Sequence, residues 1–181
     1  GQTVLSIMAG VKIHTIGLKL EHKKLIRVMP NTPAQIRQGI SAWTASKEVD
    51  RPTLDFVKDM LQAIGDEIQF TDEKNIDVAT ALSGSGPGYV FVFIEALTDA
   101  GVELGLPVQT ARDLASQTVL GSAALQRESG EHPAELRNMV TSPGGTTAAG
   151  LASLENGGFR GIIADAVRAA FERGEDLAGG K

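Results

Sequence analysis

Cysteine is absent from this sequence of 181 residues. That excludes disulfides, thiol nucleophiles and Cys-ligated metals, and it fits a reducing, cytoplasmic setting. Aromatic residues are scarce, at 4%, and no dense Lys/Arg patch carries aromatics between its charges, which argues against nucleic acid as a partner. No apolar run approaches the length needed to span a membrane. Only three histidines occur, His14, His22 and His132. They are scattered in polar surroundings, no pair has metal-ligand spacing on one helix face, and no metal is expected. No Ser-His-Asp arrangement is visible. What remains is an ordinary globular composition, with 42% hydrophobic residues and a net charge of −5 that favours solubility.

The chain opens on an apolar strand, Val4 to Met8, with neither an initiator Met nor a basic segment ahead of it. A short buried strand at a chain end usually has neighbours from earlier in the sequence, so the chain reads as the later part of a longer protein. Strands and helices then alternate. A ragged helix is expected over 11–20, a strand over 25–29 stopped by Pro30, a strand over 39–45, an amphipathic helix over 52–64 ended by Gly65, and a short strand over 67–70. Such alternation argues for an α/β sheet.

Strand signals disappear from Thr71, which is read as the cap of a helix beginning with Asp72 and Glu73. Pro87 opens a helix reaching about Leu104. Its stretch from Tyr89 to Ile94 is apolar on every side, which predicts burial all round, with a second subunit covering the extra face. The next helix carries Ala111, Leu114, Ala115, Thr118, Ser122 and Leu125 on one face. Pro133 opens a short helix to Val140, and a last helix follows Phe159 with its polar tail fraying from Glu172. The organisation is therefore an α/β part over 1–71 and an all-α part over 72–181.

Thr141-Ser142-Pro143-Gly144-Gly145-Thr146-Thr147-Ala148-Ala149-Gly150 is the most informative stretch. Ser142 is expected to cap a helix, with Pro143 at its first position. Two glycines leave the backbone bare where helix amides lack partners, and two threonine hydroxyls stand beside them. This makes an anion cradle for a small ligand with one carboxylate and one polar atom nearby. The same residues also suit a capped helix that binds nothing. Ser83-Gly84-Ser85-Gly86-Pro87-Gly88 is not Gly-x-Gly-x-x-Gly and follows a helix, so it reads as a tight joint that lets two helices cross, not a phosphate loop. Met29-Pro30-Asn31-Thr32-Pro33 and Ala9-Gly10 each follow a strand, where α/β sheets bind ligands, and each is equally at home as a turn. Glu73, in the first turn of its helix, reads locally as a residue that stabilises the dipole.

Taken together, these segments resemble pyrroline-5-carboxylate reductases. The resemblance rests on Ala9-Gly10-Val11, the run from Arg27 to Pro33, the run from Leu82 to Pro87, the run from Val140 to Thr147, and the run from Leu154 to Arg160, in the family's order. It implies the remnant of a Rossmann-like NAD(P)-binding domain (1–71) followed by an all-α domain for dimerisation and substrate binding (72–181). It also implies a homodimer, or a higher oligomer, in the cytoplasm. The implied reaction is hydride transfer from NADPH or NADH to the C=N bond of 1-pyrroline-5-carboxylate, giving L-proline. The resemblance places Thr147 at the imine nitrogen as the catalytic hydroxyl. The carboxylate falls to Ser142, Gly145 and Thr146. Glu73 is put beside the substrate, and Ala9, Asn31 and Met139 beside the cofactor. The family's Gly-rich βαβ unit has no counterpart here, so the chain alone is expected to bind NADPH poorly and to turn over little. Two other readings stay open, a non-catalytic dimerisation or ligand-binding module and a dehydrogenase of the β-hydroxyacid type, although no Lys lies near the cradle.

Overall fold

A computed structural model describes residues 2–179. Four strands form one sheet in the order β1 (Val4–Ser6), β2 (Leu25–Met29), β3 (Gly39–Ala45), β4 (Gly65–Gln69). β1 and β2 are parallel, β2 and β3 antiparallel, and β3 and β4 parallel. Helix α1 (Ile13–Leu20) crosses from β1 to β2, and α2 (Arg51–Gln62) from β3 to β4. Crossovers of this kind are right-handed. Because the second pair runs the other way while the strand order keeps advancing, the two helices fall on opposite faces.

The alternation within β2 follows from this. Ile26 and Val28 join Trp43, Val49, Val57 and Leu61 in the core beneath α2. Leu25 and Arg27 point to the other face, where Leu25 touches the space beside Gly17 of α1. Trp43 is paired with Val28 across the antiparallel junction, and its buried Nε1 donates to Glu67 Oε2 at 2.7 Å. Helix α2 starts at Asp50, whose Oδ1 accepts from the Thr53 amide and hydroxyl, with Pro52 in its first turn.

Several boundaries differ from those read in the sequence. β1 stops at Ser6, α1 starts two residues later than expected, and α2 ends at Gln62. Gly65 is the first residue of β4 rather than a helix terminator. Its φ is +143° and any Cβ would collide with the Gly39 carbonyl oxygen, so only glycine fits. Asp72, not Thr71, supports the start of α3 (Lys74–Ala79), accepting from the Lys74 amide at 3.0 Å.

From α3 the backbone continues through a π turn, Thr80–Gly84, into α4 (Gly86–Glu103). Ser85 N donates to Thr80 O at 2.8 Å, and the Thr80 and Ser83 hydroxyls bond back to Ile76 O and Ala79 O. The glycine-rich run therefore reshapes one continuous helical path. Gly86 and Gly88 face open space, and Gly84 meets the end of the Met29 side chain. Among the described residues of this chain, none approaches Gly86 or Gly88 as the expected helix crossing would require.

The chain divides into two compact units. One holds the residues up to Gly88 and those from Asp165 on; the other spans 89–164, so the boundaries fall within α4 and within α8 (Phe159–Gly179). In the first unit, α8 is helical to Gly179. Its Leu177 packs against Gly10, which has φ +72° and no room for a side chain. The helical unit contains α5 (Val108–Ser129), α6 (Pro133–Met139) and α7 (Thr146–Asn156). Its buried residues are few and small: Thr98, Ala111 and Ala115. Gly101 lets Ala111 approach closely, and Phe93 and Phe159 meet at 6.2 Å, tilted. The apolar stretch of α4 is not buried within the chain. Val90, Phe91, Val92, Phe93 and Leu97 all remain exposed.

Among the described residues, no helix is long and apolar enough to cross a membrane, and no group of His, Cys, Asp or Glu is placed to hold a metal ion. His132 accepts the Ala134 amide at the start of α6.

Candidate active site

The sequence 141–147 builds a turn and then a helix. α6 ends at Met139, and the Thr141 hydroxyl ties the exit back to Arg137 O at 2.6 Å. Ser142, Pro143, Gly144 and Gly145 then form a β-turn closed by Gly145 N donating to Ser142 O at 3.0 Å. Gly144 has φ +69°. Proline second and a left-handed glycine third is the residue order of a type II turn. Helix α7 starts only at Thr146, and its cap residue is Gly145, with no side-chain cap. The expected Ser142 cap with Pro143 in the first helical position is therefore corrected. Pro143 fits the turn's second position, and the left-handed Gly144 postpones the helix.

The amides of Thr146, Thr147 and Ala148 occupy the first turn of α7, where no intrahelical acceptor exists. Ser142 Oγ lies over Gly145 so closely that a Cβ there would strike it. Thr147 is half-buried and Thr146 exposed. The assembly offers bare amides at the positive end of a helix dipole and three hydroxyls, without a charged side chain of its own turn. It suits an anion with a polar neighbour. Met139, at the last position of α6, is largely exposed. A separate cleft of about 340 Å³, lined by Leu151, Leu154, Phe159 and Ile163 beside the Glu155–Arg160 ion pair, is apolar and suits another protein surface better than a small acid. Arg160 holds the Glu155 carboxyl below its usual range.

The other candidates belong to the α/β unit. Ala9 is exposed in the loop after β1, and Asn31 follows β2, so both stand at the carboxyl ends of neighbouring parallel strands. Asn31 Oδ1 accepts the Ile40 amide at 2.9 Å, which leaves its NH2 group as the side chain's remaining donor. Glu73 Oε1 accepts both the first amide of α1, Ile13 N, at 2.8 Å and Arg27 Nη1 at 3.1 Å. Arg27 Nη2 reaches Asp77 Oδ1 at 2.7 Å. Arg27 was not singled out in the sequence, although a lone charge inside an apolar strand, with acids four apart on a helix to receive it, is a readable signal.

These features meet a family already known. The family model for pyrroline-5-carboxylate reductase dimerisation matches residues 73–177, more than half of the chain. The chain belongs to the pyrroline-5-carboxylate reductase family. A pyrroline-5-carboxylate reductase from Synechocystis is 48% identical over 174 residues, covering 96% of this chain and 65% of the relative. One from Pisum sativum is 45% identical over 175 residues, covering 97% and 64%. The crystal structure of the Plasmodium falciparum pyrroline carboxylate reductase with NADP bound superposes with a TM-score of 0.93 at 35% identity, covering 98% of this chain and 71% of that one. This chain thus spans slightly less than two thirds of the length of the curated relatives it matches.

At the strand ends where a dinucleotide would lie, Asn31 keeps its side-chain NH2 group as a donor, whereas Gly10 is buried against Leu177. The first amide of α1, which in an α/β fold is a natural phosphate donor, is already occupied by Glu73.

Proposed function

We propose that this chain carries the substrate-binding and dimer-forming part of an NAD(P)H-dependent pyrroline-5-carboxylate reductase. The observation that carries the reading is the α7 mouth, with its bare amides and Thr147 in the first turn. The substrate is a cyclic imine with a carboxylate. Ser142, the Gly145 and Thr146 segment and the helix dipole receive the carboxylate, and Thr147 hydrogen-bonds the ring nitrogen. A nicotinamide cofactor, when bound, would supply the hydride that the imine carbon takes up; the C=N double bond then becomes a single bond, with the nitrogen's proton coming from solvent. Thr147 orients that nitrogen and steadies the amine as it forms. The chain's task is to hold the reacting carbons roughly 3–3.5 Å apart. Asn31, Ala9 and Met139 border the cofactor, and Glu73 is assigned to the substrate. A homodimer is supported by the exposed apolar side chains of α4, and a cytoplasmic setting by the absence of cysteine.

Two experiments test the reading. In the complete gene product, Thr147→Ala lowers kcat/KM by about 10²-fold, the low end for one positioned hydrogen-bonding group; an unchanged value removes Thr147 from the mechanism. The 181-residue chain by itself binds NADPH weakly in a fluorescence titration, and micromolar affinity would contradict that.

A further inference from the structure

The sheet of the α/β unit has one face filled and the other partly open. Side chains alternate along β3, so Trp43 enters the core beneath α2 while Ile40 and Ala42 point the other way. Ala42 is in register with Ile68 of β4. Helix α3 and the π turn run beside this face and contribute Val78 and Leu82. Together these residues line a groove of about 210 Å³. All of it lies before Gly88, inside one compact unit. Ile68, Val78 and Leu82 remain exposed.

The chemistry of the groove narrows its occupant. No charged side chain lines it, so nothing there could hold a carboxylate or a phosphate. Its volume falls short of the roughly 300 Å³ at which pockets for organic ligands begin. Exposed apolar surface of this kind marks contact with another protein surface. The position of the groove in the chain says which one. The match to the dimerisation model begins at residue 73, so the wall made by α3 and the π turn belongs to the matched dimerisation segment. The same helical path runs on into α4, whose Val90, Phe91 and Val92 are also uncovered. The opposite wall, with Ile40, Ala42 and Ile68, precedes that segment.

We propose that this groove is a docking surface for a second copy of the chain. Contact between copies then includes the β3–β4 face of the sheet as well as the helical segment, and apolar side chains of the second copy fill the space between Ile68 and Leu82. The inference rests on the dimer-forming role proposed above and adds that the α/β unit takes part in it.

The test uses the complete gene product. Val78→Cys places a thiol on the groove wall. Its modification by a maleimide is followed by mass spectrometry at that position as the protein is diluted, with sedimentation equilibrium measuring the paired fraction. If a second copy covers the groove, only separated copies react, and the rate falls about tenfold where about nine tenths of the protein is paired. Lys47→Cys, on an exposed bend, reacts at one rate throughout. Leu82→Glu, at a position exposed in the single chain, weakens pairing by about 30-fold, the scale of one interface hot spot. A thiol at position 78 that stays reactive in paired protein overturns this inference alone and leaves the dimer-forming role standing. Equal shielding in paired and separated copies also overturns it, because the chain itself or another occupant then covers the groove. Protein that never pairs overturns the dimer-forming role as well, and sedimentation shows this before any labelling.

Discussion

The two units use apolar residues in opposite ways. The α/β unit closes its own core, with Ile26, Val28, Trp43, Val57 and Leu61 all nearly inaccessible. The helical unit buries Thr98, Ala111 and Ala115, and displays Val90, Phe91, Val92 and Leu120. A helix that is apolar on all sides but open to solvent lacks something to pack against, since tertiary packing supplies most helical stability. The contrast sets a sheet that closes a core of its own beside helices whose apolar faces stay uncovered within the chain.

The contrast is broken most forcefully through Trp43. Trp43→Ala removes the largest side chain of the sheet core and leaves the Glu67 carboxylate without its indole donor. The expected loss is about 3–5 kcal/mol, read as a denaturant midpoint falling without a change of slope; a cost below about 1 kcal/mol would mean the α/β unit is not self-supporting. Phe91→Glu has the reverse signature. It weakens self-association by about 30-fold in sedimentation equilibrium, the scale of one interface hot spot, while near-UV signals from Trp43 stay unchanged. A variant that associates as wild type places the interface elsewhere. The smallest effect belongs to Asp50, whose carboxyl Lys24 first, and then Thr53, hold far below its ordinary value of 3.8. A depressed value contributes stability above the ordinary value and loses it as the pH falls. Asp50→Ala should therefore lower the melting temperature by about 2–4 °C at pH 7, with the gap from wild type shrinking below about pH 3.8. A gap independent of pH would show that the charge is irrelevant.

The α/β alternation was legible because apolar runs, the stop at Pro30 and the helical spacing from Pro52 are local signals. The β2–β3 antiparallel junction was not, because strand direction depends on pairing between distant residues. Gly65 misled as a helix terminator, since the local pattern cannot reveal that the Gly39 backbone comes so near. At the site, the bare amides before Thr147 were readable, but the role of Pro143 was not. Proline suits both a first helical turn and the second position of a β-turn, and Gly144 decides between them. Glu73 reads locally as a dipole residue of its own helix, and only the resemblance puts it beside the substrate. The structure adds a bond to the start of a different helix, sixty residues away in sequence, which periodicity cannot contain.

The reversal of strand direction halfway across the sheet has a practical side. The segment from Ser46 to Val49 follows β3 and is tied to Leu25 and Lys23 at the beginning of β2, so it lies at the edge remote from Asn31. Lys47 and Glu48 at its tip are exposed. A fluorescent reporter or affinity peptide spliced between them would sit well away from the strand ends that carry Ala9 and Asn31, which makes this bend a natural attachment point for following the protein at work.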